Sequence, residues 1–229
     1  MITGANRGLG FEMTRQYAAR SGVFIFACCR APAKAVALQE LANAKGNIEV
    51  LPLNVADHDS IEALGVRLGE RPIDILINNA GIFGKSDPAT TGFDDQQFGK
   101  SDFAQDWIMP YRVNVIGPMK MVETLIDNVA ASTHKKIVIV TSVVGSVALA
   151  QGHMFGYAAS KSAANMTAKN LAVALQRRNV VVNPVHPGYA QTDMGGPAAH
   201  VEVPTAIEGV IKQIDAMSLE HTGEFLSFD

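Results

Sequence analysis

Thr3-Gly4-Ala5-Asn6-Arg7-Gly8-Leu9-Gly10 opens the chain with glycines at 4, 8 and 10. A side-chain-free turn of this kind lets backbone approach a phosphate, and a following helix presents its N–H groups and positive dipole end. The spacing is not G-x-G-x-x-G, and a tight strand–helix turn with no ligand fits this stretch equally well. The rest of the chain supplies the context. Apolar runs rich in Val, Ile and Phe recur at 23–27, 48–53, 73–77, 136–141, 180–184 and 224–228. They show little alternation, which suits strands buried on both faces of a parallel sheet. Helical patterns lie between them: Ile61, Leu64 and Leu68 share one face after Asp57 or Asp59 as N-cap. This alternation predicts an α/β fold, with one doubly wound, mostly parallel sheet flanked by helices on both faces. No repeat or linker stands out, so residues 1–229 read as one domain. Residues 84–102, with clustered Gly, Asp, Ser and Thr, read as an exposed loop.

Composition narrows the class. The hydrophobic fraction of 48% across 229 residues supports a sizeable core. A net charge of -3 with 19 scattered Lys and Arg gives no footing for nucleic acid. The apolar runs are too short to cross a bilayer and no secretory leader is visible, so no membrane is expected. Cys28 and Cys29 are the only cysteines, too few for a disulfide framework or a four-ligand zinc site. The expected setting is cytoplasmic and reducing, and no His, Cys, Asp or Glu grouping has metal-ligand spacing. Only Met1, Ile2 and Thr3 precede the glycine turn, against about five or six residues for an average strand. A clipped start and a naturally short first strand both fit, and the chain ends directly after its last candidate strand.

Two further motifs bear on chemistry. Asn78-Asn79-Ala80-Gly81 follows the apolar run at 73–77, where α/β sheets bind ligands. By itself it is an ordinary turn. Tyr157-Ala158-Ala159-Ser160-Lys161 puts a phenol and an ammonium one helical turn apart. A free tyrosine, with a pKa of about 10, is a poor acid or base near neutrality. A neighbouring ammonium favours the phenolate and should lower that value. A lone Y-x-x-x-K is more commonly a partly exposed Tyr and a solvated Lys.

Taken together and in order, these motifs resemble the short-chain dehydrogenase/reductase family over essentially the whole chain. The matching segments are T-G-A-N-R-G-L-G (3–10), N-N-A-G (78–81), N-V-I-G-P (114–118), Ser142, Y-A-A-S-K (157–161) and H-P-G-Y-A-Q-T-D-M (186–194). The wording is nearest to Sniffer-like and C-factor-like carbonyl reductases. The resemblance implies a Rossmann-type fold with a seven-stranded sheet and a catalytic tetrad of Asn114, Ser142, Tyr157 and Lys161. Tyr157 would exchange a proton with the carbonyl or alcohol oxygen of a small-molecule substrate. Ser142 would hydrogen-bond that oxygen. Lys161 would lower the Tyr157 pKa and bind the nicotinamide ribose, and Asn114 would anchor a water linking Lys161 to solvent. Pro118 lacks an N–H and so cannot bond the carbonyl of residue 114, which supports that last role, although a proline kink without function fits too.

For the cofactor, the implied contacts are Gly4, Asn6, Arg7, Gly8, Leu9 and Gly10 in the turn and Asn79, Ala80 and Gly81 after the fourth strand. Tyr157 and Lys161 reach it from their helix, and Pro187, Gly188 and Thr192 cover the nicotinamide. The second strand ends in Arg30 with no acidic residue, which favours NADP(H) over NAD(H). Arg7 could add a second positive charge. The family commonly has aspartate where this chain has Asn54. Asn54 and Val55 are kept as adenine contacts, with a local strand-end turn an equal reading. Gly195-Gly196-Pro197 suits a mobile lid, whereas His186 and His153 read as turn and helix-entry residues. The substrate pocket is expected to use Phe83, Phe93, Val144, Val147, Leu149, Met154 and Tyr189, favouring an apolar carbonyl. The Ala164, Ala168, Ala172 and Leu175 stripe fits either an internal contact or a homodimer or homotetramer interface. A dinucleotide-sensing regulatory protein of the same fold is the alternative function, and the complete tetrad argues against it.

Overall fold

A computed structural model describes residues 1–85 and 96–229. Seven strands form one parallel sheet: β1 (Ile2–Thr3), β2 (Ile25–Cys29), β3 (Ile48–Pro52), β4 (Ile75–Asn78), β5 (Lys136–Val140), β6 (Val181–His186) and β7 (Leu226–Ser227). Their order across the sheet is β3-β2-β1-β4-β5-β6-β7. Each expected run becomes a strand, with edges set by pairing. β2 begins at Ile25, opposite Ile48, because Asn47 Nδ2 holds the Val23 carbonyl in the preceding turn at 2.9 Å. The last run, expected over 224–228, contracts to two residues that pair with Val185 and His186.

Helices α1 (Gly8–Ala18), α2 (Val36–Lys45) and α6 (Val203–Ala216) lie on one face of the sheet. Helices α3 (His58–Leu68), α4 (Gly117–Ala130) and α5 (Phe155–Leu175) lie on the other. Strand alternation divides the core between them. Cys28 joins Leu51, Ile61, Leu125 and Ala168 on the α3–α5 side. Cys29 joins Met13, Leu38, Val138 and Ile211 on the other. Burial pushes the Cys28 thiol up to about 12, so it behaves as a small apolar side chain. Asp57 is the N-cap of α3, accepting from the Asp59 N–H at 3.2 Å, an interaction worth about 1 kcal/mol.

Before α4 the chain is helical from Phe103 but unevenly wound. Residues 103–108 and 112–116 form π-turns, and the Gly117 N–H reaches back five residues to the Arg112 carbonyl. Pro110 and Pro118 explain the widening, since neither can donate to the carbonyl four residues before it. The small-residue stripe of α5 is resolved in favour of internal packing: Ala164, Ala168 and Ala172 are buried within the chain and Leu175 packs against the same core. Among the described residues, no helix is long and apolar enough to cross a membrane.

The sheet order reverses between β1 and β4. The connections leaving their carboxyl ends diverge to opposite faces and open a crevice there.

Candidate active site

Thr3, at the end of β1, ties the two walls of this crevice together. Its Oγ1 accepts from the Asn79 and Ala80 N–H groups at 3.0 Å each, and its carbonyl accepts from Asn79 Nδ2 at 2.9 Å. The N-N-A-G segment is thereby pinned to the glycine turn. Gly4 adopts φ +67 and Gly8 φ +52, in the left-handed region that favours glycine. At Gly10 a Cβ would overlap the Gly4 carbonyl oxygen and fall 2.5 Å from Asn79 Nδ2. Only glycine lets α1 start this close to the sheet.

A cavity of about 520 Å³ runs along the crevice. Gly4, Asn6, Arg7, Gly8, Leu9 and Gly10 line one wall, and Asn79, Ala80 and Gly81 line the other. Arg30, Asn54 and Val55 close one end, while Ser142, Tyr157, Lys161, Pro187, Gly188 and Thr192 surround the opposite end. Every residue expected in the catalytic tetrad or at the cofactor, except Asn114, therefore reaches this cavity. The first turn of α1 contains no acidic residue and no side chain caps it. Its N–H groups and positive dipole end remain available to an anion. The glycine cradle and this helix start fit a dinucleotide diphosphate.

At the other end the tyrosine departs from expectation. Tyr157 is half-buried at the cavity wall, with its ring 4.9 Å from that of Phe83, and desolvation pushes its phenol up to about 12. The ammonium does not counter this. Lys161 donates to the Val140 carbonyl at 3.0 Å, and its own burial lowers it to about 8. Desolvation outweighs the ammonium's attraction for a phenolate, so the expected lowering of the Tyr157 pKa is corrected to a rise. Ser142 Oγ accepts from the Val144 N–H at 3.4 Å at the head of a short 3₁₀ turn. Asn114 lies behind the cavity wall. Its Oδ1 accepts from the Ile82 N–H at 2.9 Å, and its Nδ2 donates to the Ile82 carbonyl at 2.9 Å and to Ser160 Oγ at 3.0 Å. The side chain thus joins the segment after β4 to α5.

The outer residues divide by partner. Arg30 is exposed and makes no hydrogen bond or ion pair with another described residue. Arg7 instead pairs with Asp193 across the mouth of the cleft at 3.0 Å. Asn54 Oδ1 accepts from the Ala56 N–H at 3.2 Å, so its carbonyl is engaged in the local turn even though the residue lines the cavity. Thr192 Oγ1 accepts from the Gly195 N–H at 3.1 Å, ordering the start of the glycine-rich segment.

Of the expected substrate-pocket residues, Phe83, Val144, Met154 and Tyr189 line the cavity. Val147 is 87% exposed and points away, and Leu149 borders a separate shallow cavity with Phe225 and Pro184. Phe93 lies outside the described residues. His186 ends β6 at the cavity, partly buried, and burial lowers its imidazole. Two buried polar residues, Gln96 and Asp106, escaped the sequence reading. Both fall in or beside the stretch expected to be an exposed loop, and no motif marks them. Among the described residues, no three His, Cys, Asp or Glu are grouped to hold a metal.

The family model described as short chain dehydrogenase matches residues 1–202. The C-signal protein of Myxococcus xanthus is 32% identical over 158 residues, covering 69% of this chain and 89% of that protein. An NADPH-bound carbonyl reductase from chicken fatty liver superposes with a TM-score of 0.87 at 28% identity, over 99% of this chain and 94% of that one. The carbonyl reductase Sniffer of D. melanogaster gives a TM-score of 0.89 at 25% identity, over 100% of this chain and 95% of that one.

Proposed function

The chain belongs to the short-chain dehydrogenase family of oxidoreductases, and from that premise we propose that it is an NADP(H)-dependent reductase of apolar carbonyl compounds. The observation that carries this reading is the placement of Tyr157 and Lys161 at one end of a cavity whose other end is walled by the glycine turn and Arg30. NADPH supplies the hydride when bound. The residues of the chain manage the proton. With its phenol held protonated by burial, Tyr157 donates that proton to the substrate's carbonyl oxygen, and the product is an alcohol. Ser142 Oγ is a second hydrogen-bond partner for that oxygen as negative charge builds on it. The Lys161 charge stabilises the phenolate left behind. In the reverse direction the phenolate takes the alcohol proton. Asn114 holds Ile82 and Ser160, and so fixes the spacing between the cofactor wall and the helix carrying Tyr157.

NADP(H) is favoured over NAD(H) because Arg30, at the end of β2, is exposed to the cavity with no carboxylate beside it in sequence. The NADPH-bound relative from chicken liver supports the same choice. Phe83, Val144, Met154 and Tyr189 favour an apolar substrate. The proposed setting is cytoplasmic, with residues 1–229 as one domain. Assembly as a homodimer or homotetramer finds support in exposed apolar side chains on the packed helices before and after β5: Ile108, Tyr111, Ile116, Met166 and Val173.

The test is NADPH oxidation against ketones, aldehydes and quinones, with Tyr157→Phe and NADH beside it. Turnover that requires NADPH and vanishes in Tyr157→Phe supports the reading. Tight NADPH binding without any turnover would replace it with dinucleotide sensing.

A further inference from the structure

Gln96 is fully buried, 61 residues upstream of Tyr157, and both ends of its amide are used. Nε2 donates to the Phe83 carbonyl at 2.8 Å, and Oε1 accepts from the Tyr157 backbone N–H at 3.4 Å. Tyr157 is the third residue of α5, so its N–H has no partner within the helix. Met154, which precedes the helix in a left-handed conformation (φ 55), offers no side-chain cap. Gln96 therefore caps α5 from another part of the chain. The two residues it joins through their backbones are the two whose rings meet at 4.9 Å.

The surroundings fit this contact closely. A Cβ at Gly84 would fall 2.7 Å from Gln96 Nε2 and 2.6 Å from Asp106 Oδ1. Asp106 is also buried, and its carboxylate accepts from the Lys85 and Asp102 N–H groups at 2.8 and 2.9 Å. A Cβ at Gly156 would overlap the Asp106 carbonyl oxygen, whose usual helical donor four residues on is replaced by Pro110. Glycines on both sides thus let the segment after β4 and the helical run from Phe103 press directly on the first turn of α5.

We propose that Gln96 is a positioning residue for proton transfer, holding the Phe83 and Tyr157 backbones at a fixed separation so that the phenol meets the substrate oxygen in one orientation. The proposal rests on the reading of Tyr157 as the proton donor. Gln96 touches neither substrate nor cofactor in this role and acts through Tyr157.

Three forms of the full chain test it: wild type, Gln96→Leu and Gln96→Glu. Amide hydrogen exchange at Tyr157 should be at least about tenfold faster in Gln96→Leu. The same variant should lose about 10- to 100-fold in kcat, since small misplacements of a reacting group have effects of that order. Its KM and Kd for NADPH should stay within about twofold of wild type. Gln96→Glu gives the sharper readout, and serves also if Gln96→Leu does not fold. A protonated carboxyl can donate to Phe83 and accept from Tyr157, whereas a carboxylate can only accept. The groups beside it are Asp106 and Tyr157, and both burial and the Asp106 charge favour the protonated form. Gln96→Glu should therefore approach wild-type kcat at the acidic end and lose activity as pH rises, along a limb additional to the fall that wild type shows near pH 8.

Equal Tyr157 exchange in wild type and Gln96→Leu overturns the contact, with or without turnover. Faster exchange with unchanged kcat overturns positioning and leaves a structural cap alone. A wild type that reduces no carbonyl sinks the reductase reading and the positioning role with it, while the exchange comparison still decides whether the contact exists.

Discussion

Lys161 stands one helical turn past Tyr157, yet its ammonium bonds the Val140 carbonyl at 3.0 Å and lies 5.6 Å from the centre of the tyrosine ring. Each group is consequently governed by its own desolvation. The phenol is raised to about 12 and the ammonium lowered to about 8, and both displacements favour the neutral form. The free protein thus holds a protonated phenol beside an amine still mostly charged at neutral pH, which suits the proposed direction of reduction.

A pH–rate profile reads this directly. For the carbonyl-reducing direction, kcat/KM should be level below about pH 8 and fall as pH rises through it. Lys161 is charged below that value and neutral above it, and a neutral amine no longer offsets the phenolate that proton donation leaves. The oxidative direction, which needs the phenolate, should rise with pH instead. A reductive profile flat to about pH 10, near the ordinary lysine value, would remove Lys161 from this role.

Lys161→Met separates stability from activity. Because the folded pKa lies below the ordinary lysine value of 10.5, holding the lysine charged opposes folding. The penalty is present in full below about pH 8 and gone above 10.5. Methionine removes it and forfeits one hydrogen bond to Val140, worth about 1 kcal/mol. The variant should lose at least about 100-fold in turnover. Its Tm at pH 7 should rise by about 2–4 °C, with the gap narrowing toward alkaline pH. Thermal unfolding followed by circular dichroism at both pH values checks this; a lower Tm at neutral pH would contradict it.

Gly10→Ala should damage binding and stability together. The new methyl would overlap the Gly4 carbonyl oxygen, forcing α1 away from the sheet at a cost of about 1–3 kcal/mol. Calorimetric titration should show NADPH binding weakened at least about tenfold. Unchanged affinity would mean that the turn does not hold the diphosphate.

Arg30→Ala probes cofactor choice. Removing the exposed guanidinium should weaken NADPH binding by about 10- to 100-fold, the scale of one charge-assisted hydrogen-bonded contact, and leave NADH nearly unaffected. Fluorescence titration with both dinucleotides distinguishes the outcomes. Equal losses would point to a damaged turn and remove the assignment of phosphate recognition to Arg30.

What the sequence revealed follows from what chemistry fixes locally. Gly4, Gly8 and Gly10 belong to one turn and one helix start, and the Tyr157–Lys161 pair to one turn of helix, so each is a short motif, and their order along the chain carries the family resemblance that exposes them. The parallel sheet was equally legible because doubly buried strands must be nearly continuous apolar runs. Properties that depend on distant neighbours were hidden. The phenol's rise arises from burial and the packing that includes Phe83, 74 positions before it. Gln96 and Asp106 lie in or next to a polar stretch that resembles any surface loop, and only the folded chain shows them buried. Their place in the chain points Val147 and Leu149 to the pocket, and the 3₁₀ turns there direct them elsewhere.

The bonds from Thr3 to Asn79 and Ala80 have a consequence for how the protein is made. The glycine turn leaves the ribosome before the partners that complete its cradle, which are synthesised 76 and 77 residues later. Asp193, which closes the mouth over Arg7, follows after 186. A growing chain therefore cannot capture dinucleotide as it emerges. Ligand rewards only the molecule in which β1 has already found its place between β2 and β4, and abundant cofactor in the cell selects for completed sheets over partly assembled ones.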